Sequence, residues 1–146
     1  MFEVRIFIIA NEKSITDKIK EMIQERSPRN SIGFKLVGES VSLKDFESAA
    51  ADCRPHCIIV SEEMLTQPVM DCRKGISVIA TTSDISRREG EIDFVNLDSG
   101  SGYVIGKIEG SWRPFTVDSL KRADEKATQF YNYVFPGLNF AIQKKD

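Results

Sequence analysis

The run Cys57-Ile58-Ile59-Val60 places apolar residues side by side with no polar position between them. A strand with one face in water alternates, whereas an unbroken run belongs to a strand covered on both faces. Working outward, Val4 to Ala10 is a second such run, rich in β-branched and aromatic residues. Between the two, Ile15, Ile19, Met22 and Ile23 recur at helical spacing and form one apolar stripe. Ser14 and Asp17 read as a capping box in front of that stripe, and Ser27-Pro28-Arg29-Asn30 stops it. Phe34 to Val37 predicts a short strand, and Ser42 with Asp45 caps a second helix whose Leu43, Phe46, Ala49 and Ala50 share a face. Buried strands alternating with amphipathic helices require a parallel sheet with helices on both sides.

Toward the end of the chain, Met64 to Lys74 is too short for a good helix and contains Pro68, so the connection before the strand Ile76 to Thr82 is expected to be reduced. Asp84 to Leu97 carries Gly90 in its middle and few apolar anchors, which makes the next helix weak as well. Ser99 to Gly102 then predicts a loop, and Tyr103 to Ile108 a fifth strand. Thr116 caps a long last helix with Leu120, Ala123, Ala127, Phe130, Tyr131 and Val134 toward the sheet, and Pro136-Gly137 ends it. The expectation is an α/β fold: a doubly wound, five-stranded parallel sheet in the order 2-1-3-4-5, with a reduced third or fourth helix. Residues 1–134 form its domain, and residues 135–146 read as a tail or the start of a linker. In such a sheet the ligand crevice lies at the carboxyl ends of strands one and three, near Ala10, Asn11 and Ser61.

The chain has 146 residues, one domain's worth, and enough to build a core without disulfides or metals. Its 20 Lys and Arg stand against 22 Asp and Glu, a net charge of −2, which argues against a sequence-independent grip on nucleic acid or on anionic lipid. No apolar run approaches bilayer length and the start shows no targeting pattern, so a cytoplasmic protein is expected. Three cysteines fit a reducing compartment better than a disulfide framework. Cys53, His56 and Cys57 lie close in sequence, but their spacing suits buried thiols better than a metal site. No metal or cofactor is expected.

Phe34-Lys35-Leu36-Val37-Gly38-Glu39-Ser40, through Arg54-Pro55-His56-Cys57-Ile58-Ile59-Val60-Ser61-Glu62-Glu63-Met64, resembles response-regulator receiver domains of the CheY-like, flavodoxin-like fold. The resemblance puts Ser61 on the phosphoacceptor position, Ala10 and Asn11 on the magnesium-binding acidic pair, and Thr82 on the switch hydroxyl. For the receiver lysine it offers Gly106, with Lys107 one residue late, or Arg113 in Arg113-Pro114-Phe115; the second is preferred because Thr116 follows as a helix cap. Phosphoryl transfer to aspartate needs a carboxylate nucleophile and acids that hold a divalent cation. Ala10, Asn11 and Ser61 offer neither, and the one histidine, His56, lies at the far end of the Ser61 strand.

The resemblance therefore implies a degenerate pseudo-receiver with no enzymatic activity, acting in bacterial signalling or localisation, as in the amino-terminal domains of Flp/Tad pilus-assembly localisation proteins. It would work through a protein partner or a homodimer built on the face of the fifth strand and last helix. Tyr103, Trp112, Phe130, Tyr133, Phe135 and Phe140 concentrate aromatic surface late in the chain and are the candidate contacts, with Phe135 and Phe140 the freest. The alternative is a flavodoxin-like small-molecule or nucleotide-binding domain using the hydroxyl-rich loop Thr81 to Ser86.

Overall fold

The computed structural model describes residues 1–84 and 92–141. Strands β1 (Phe2–Ile9), β2 (Ile32–Ser40), β3 (Cys57–Ser61), β4 (Ser77–Thr81) and β5 (Asp93–Val95) form one sheet in the order β2-β1-β3-β4-β5. Every pairing is parallel. The helices are α1 (Lys13–Glu25), α2 (Leu43–Cys53), α3 (Gln67–Asp71), α4 (Ser101–Glu109) and α5 (Val117–Gln129). This is the flavodoxin-like fold expected from the apolar runs. The reduced third connection is also present: α3 has 5 residues and lies between two 3₁₀ turns, Glu62–Met64 and Cys72–Lys74. Of the weak helix expected within Asp84 to Leu97, residues 85–91 lie outside the described residues, and the part that follows is not helix but strand β5.

Local chemistry accounts for two of the helix starts. The Ser42 side chain accepts the Asp45 N–H, and the Thr116 side chain accepts the Ser119 N–H, each satisfying an amide that the helix itself cannot pair. The expected Ser14 box does not form. Helix α1 begins at Lys13, two residues earlier than a Ser14 cap would place it, so Ser14 falls inside the first turn and Glu12 takes the cap position without a side-chain bond.

The fifth strand needs a larger correction. Tyr103 to Ile108 is not a strand but most of α4, and β5 is the three-residue segment Asp93-Phe94-Val95. Val104 and Ile108, four residues apart, both face the core, which is helical geometry. Ser99 to Gly102 accordingly runs from a 3₁₀ turn into a helix.

Two layers of core cover the sheet. On one face Val4, Ile6 and Ile8 of β1 pack with Ile19 and Ile23 of α1, Val104 and Ile108 of α4, and Leu120 of α5. On the other, Phe7, Ile9, Ile58 and Val60 meet Phe46 and Ala50 of α2 and Val69 of α3, together with Ala127, Phe130, Tyr131, Phe135 and Phe140. Helix α5 thus starts on one face and ends on the other, passing the amino-terminal ends of the strands. There the Tyr131 hydroxyl donates to the Pro55 carbonyl, and Asp124 reaches His56 and Arg5.

Two glycines make these approaches possible. A Cβ on Gly38 would lie 2.5 Å from the Phe7 ring, and one on Gly75 would lie 2.1 Å from Cβ of Phe130. Side-chain rotation does not relieve the second clash, because Cβ is tied to the backbone of the turn that follows α5. Gly75→Ala should therefore destabilise the chain by about 1–3 kcal/mol, as overpacking does. Urea unfolding checks this, and an unchanged midpoint would contradict the seating of Phe130.

The carboxyl-terminal segment is not a free tail within the described residues. Phe135 and Phe140 are buried and pack edge-on or tilted against Phe46 and each other. The expectation that they are the freest aromatics is thereby corrected. No helix among the described residues is long and apolar enough to cross a membrane.

Candidate functional site

Parallel strands end at one edge of the sheet, and the residues that follow β1, β3 and β4 meet there. Ala10 is fully buried, and its N–H donates to the Ser40 carbonyl at 3.1 Å. Ser61 closes β3 with 1% of its surface exposed, and its Oγ accepts the Asn11 N–H at 3.2 Å. Thr82 follows β4; its hydroxyl donates to Glu62 Oε1 at 3.0 Å and accepts the Asp84 N–H at 3.0 Å. Four of the five pocket residues expected from the sequence therefore occupy one end of the sheet. The fifth does not join them. Arg113 lies between α4 and α5, where its Nε donates to the Gly110 carbonyl and the nearby Phe115 carbonyl accepts from Asn30, just before β2. That is the opposite end of the strands. Lys107, the other candidate for the same position, sits on α4 with its ammonium 5.8 Å from the Tyr103 ring centroid.

A crevice of about 360 Å³ opens between Asn11, Ser14, Thr81, Thr82 and Ser83 on one side and Asn96 to Asp98 on the other. Of the loop Thr81 to Ser86, Ile85 and Ser86 lie outside the described residues. Glu12, Glu63 and Asp98 line the crevice, and its one lysine, Lys18, is paired with Asp98 at 3.1 Å. Among the described residues the lining therefore carries excess negative charge. Among the described residues no base is bonded to the Ser61 hydroxyl, which accepts the Asn11 N–H, and His56 lies at the other end of β3.

His56 instead ties α5 to the strand ends. The imidazole is 2% exposed; Nδ1 accepts the Arg5 N–H at 3.0 Å, and Nε2 lies 2.7 Å from Asp124 Oδ1. Because Nδ1 must accept, the proton belongs on Nε2, where it is donated to the carboxylate. Both ring nitrogens are used, so no lone pair is left for a metal. Burial lowers the His56 pKa below its ordinary 6.5, against the opposing pull of Asp124. Partial burial would raise the Asp124 carboxyl, but its bond from His56 and the charge of Arg5 outweigh that and hold it below its ordinary 3.8.

These shifts fix a sign for acid stability. Unfolded His56 takes up a proton near its ordinary pKa and folded His56 only at lower pH, so stability falls as the pH drops below about 6.5. Asp124 adds to the loss at more acid pH, where the unfolded carboxyl protonates before the folded one. The melting temperature of the native chain should decline from about pH 7 to about pH 5, more steeply than that of His56→Gln. Equal slopes would contradict this assignment.

The three cysteines are free thiols. Burial raises Cys53 and Cys72 above the ordinary thiol range and pushes Cys57 up to about 12, so none is a ready nucleophile.

The aromatic candidates divide sharply. Trp112, Phe130, Phe135 and Phe140 are buried core residues, which corrects their expected role as contacts. Tyr103 and Tyr133 remain open, 48% and 82% exposed, and they stand on different elements: α4 and the π-helical turn Phe130–Val134 after α5. Sequence reasoning missed the His56–Asp124–Arg5 cluster, whose members are separated by 51 to 119 residues along the chain. No protein-family model matches the chain, and no curated protein matches it significantly.

Proposed function

We propose that the chain is a phosphorylation-independent pseudo-receiver, a non-enzymatic cytoplasmic module of bacterial signalling or localisation that acts by binding a protein partner or a second copy of itself. One observation carries the reading. At the position where the receiver resemblance expects a phosphoacceptor, Ser61 is buried and its hydroxyl is taken by the Asn11 amide, while the neighbouring Ala10 is a core residue. Ser61 is no carboxylate nucleophile, and Ala10 and Asn11 stand where the resemblance expects the acidic pair that holds a cation. Acetyl phosphate with Mg²⁺ should leave the intact mass of the native chain unchanged. It should also leave Ser61→Asp unchanged, because Ala10 and Asn11 still supply no acid. A stable added phosphoryl group on the native chain would refute the reading.

The contact surface in this proposal is the outer side of α4, and its partner there is a second copy of the chain. Tyr103 stands there half-exposed between Gly102 and Gly106, and a Cβ added at either glycine would meet nothing within 4 Å. A rigid ring beside a flat, open helix surface suits close packing of a second protein.

The crevice beside Thr82 supports a second reading, a small-molecule or nucleotide site. A ligand present at a hundred times its Kd would add about 2.7 kcal/mol of stability. The charges that line the crevice among the described residues are mainly acidic, which disfavours phosphate groups, so the first reading is preferred. Flavins and nucleotides that give no thermal shift would exclude the second.

A further inference from the structure

We infer that His56 is a proton-operated latch: a proton taken up on its ring releases the Arg5 amide and loosens the middle of α5 from the strand starts while the sheet stays folded. The hydrogen-bond geometry carries this. In the closed arrangement each ring nitrogen has one role, Nδ1 accepting the Arg5 N–H at 3.0 Å and Nε2 donating to Asp124 Oδ1 at 2.7 Å. An imidazolium has two donors and no acceptor, so a protonated Nδ1 and the Arg5 N–H would point hydrogens at each other. The charged ring must turn away from Arg5, and the neutral and charged states of His56 therefore require two different arrangements.

The ladder bonds decide which part moves. The His56 backbone is fixed on both sides, its N–H donating to the Arg5 carbonyl at 2.8 Å and its carbonyl accepting the Ser77 N–H at 3.0 Å. The strands stay paired, and the change falls on the ring and on the helix packed over it. Helix α5 is tied to this edge by Asp124, which is bonded to His56 and to the Arg5 guanidinium at 3.3 Å, and past its end by the Tyr131 hydroxyl on the Pro55 carbonyl. The bond from imidazolium to carboxylate is the stronger for its charge, so the turn of α5 that carries Asp124 follows the ring.

Few charges act on the ring. Arg5 of β1 and Asp124 of α5 act on it directly. Lys126 of α5 lines the same small cavity as His56, and Arg54, before β3, takes the Arg5 Nε–H on its carbonyl. Cys57 follows His56 on β3, and the β4 side presents Gly75, Ile76 and Ser77, none of which is charged. Among the described residues, Asp124 is thus the one of these groups that favours the imidazolium, while Arg5, Arg54 and Lys126 oppose it. Burial opposes the charge as well, so the latch is shut at neutral pH.

NMR titration of the isotope-labelled full chain from about pH 7.5 to about pH 4.5 tests the latch. The ring nitrogens should report the Nε2–H tautomer at the start. As His56 takes up its proton, the Arg5 amide proton should shift upfield and its exchange protection should fall at least about tenfold, with the Asp124 and Tyr131 amides shifting at the same midpoint. The amides of Ile58 to Val60 should stay protected throughout. His56→Gln should leave the Arg5 amide constant over the same range, and Asp124→Asn should move the His56 midpoint to lower pH because it removes the favourable charge. The native titration decides even where a variant does not fold. The inference is overturned if His56 titrates while the Arg5 amide stays unchanged, or if Arg5 responds equally in His56→Gln. It is also overturned if His56 does not titrate before the chain unfolds, or if the Ile58 to Val60 amides lose protection together with Arg5, which would be ordinary acid unfolding.

Discussion

Phe46→Ala should lower the unfolding free energy by about 3–5 kcal/mol, the usual cost of emptying an aromatic site in a core. Phe46 is fully buried on α2, and its ring meets Phe7 of β1, Phe135 and Phe140 at centroid distances of 5.2, 6.2 and 5.4 Å. It is therefore the point at which the sheet, the second helix and the carboxyl-terminal segment are joined. Loss of the ring removes apolar contact from three sides at once, and the edge-on aromatic pairs add to the area term. Urea unfolding gives the magnitude, and limited proteolysis near Val134 should become faster because the segment beyond it loses its seat. A loss below about 1 kcal/mol would mean that the segment does not pack on α2.

The second large effect is expected at Glu109→Ala. Glu109, at the end of α4, receives two bonds from Arg26 at 2.7 and 3.1 Å and two from Arg29 at 2.9 and 3.2 Å. Burial would raise its pKa, but the two guanidinium groups hold the carboxyl below its ordinary value. The Arg26 side chain is only 5% exposed; it lies 3.8 Å over the Phe34 ring and also donates to the Ile32 carbonyl. Removing the carboxylate leaves that guanidinium buried without a counter-charge, which typically costs about 3–5 kcal/mol. Glu109→Gln retains acceptor capacity and should lose less. If Glu109→Ala unfolds at the native urea midpoint, α4 is not anchored to α1 and β2 through this pair.

The parts of the fold legible in the sequence are those set by nearby residues. The runs Val4 to Ala10 and Cys57 to Val60 have no polar interruption, and Ser42 and Thr116 carry their helix starts in their own side chains, so these elements and the strand order followed. The fifth strand did not. Tyr103-Val104-Ile105 is a β-forming triplet with glycines nearby, and only its placement against α1 and the sheet makes it helical. The true strand, Asp93-Phe94-Val95, is too short to display a period. That misassignment carried Arg113 into the pocket, since the Arg113-Pro114-Phe115 triplet before the Thr116 cap was expected to follow a strand at Tyr103 to Ile108, with extra residues between. The surplus of late aromatics had a similar cause. Helix α5 crosses from one core to the other past the strand ends, so Trp112, Phe130, Phe135 and Phe140 each find a buried place that one helix face could not provide. The end of the sheet bearing Ala10, Asn11, Ser61 and Thr82 was legible because each follows a strand whose end was fixed by its apolar run.

The central claim, association through α4 without phosphate, is tested most directly by sedimentation equilibrium of the native chain, Tyr103→Ala and Gly106→Glu, each with and without acetyl phosphate and Mg²⁺. Glutamate is a better helix former than glycine by roughly 0.5–1 kcal/mol, and nothing stands within 4 Å of the Gly106 Cβ position, so Gly106→Glu should fold at least as stably as the native chain. The account predicts a concentration-dependent dimer for the native chain, weakened at least about tenfold in both variants and indifferent to acetyl phosphate, tenfold corresponding to about 1.4 kcal/mol at a contact anchor. A native chain that stays monomeric at every concentration, association that survives both variants, or association that acetyl phosphate switches on would contradict it.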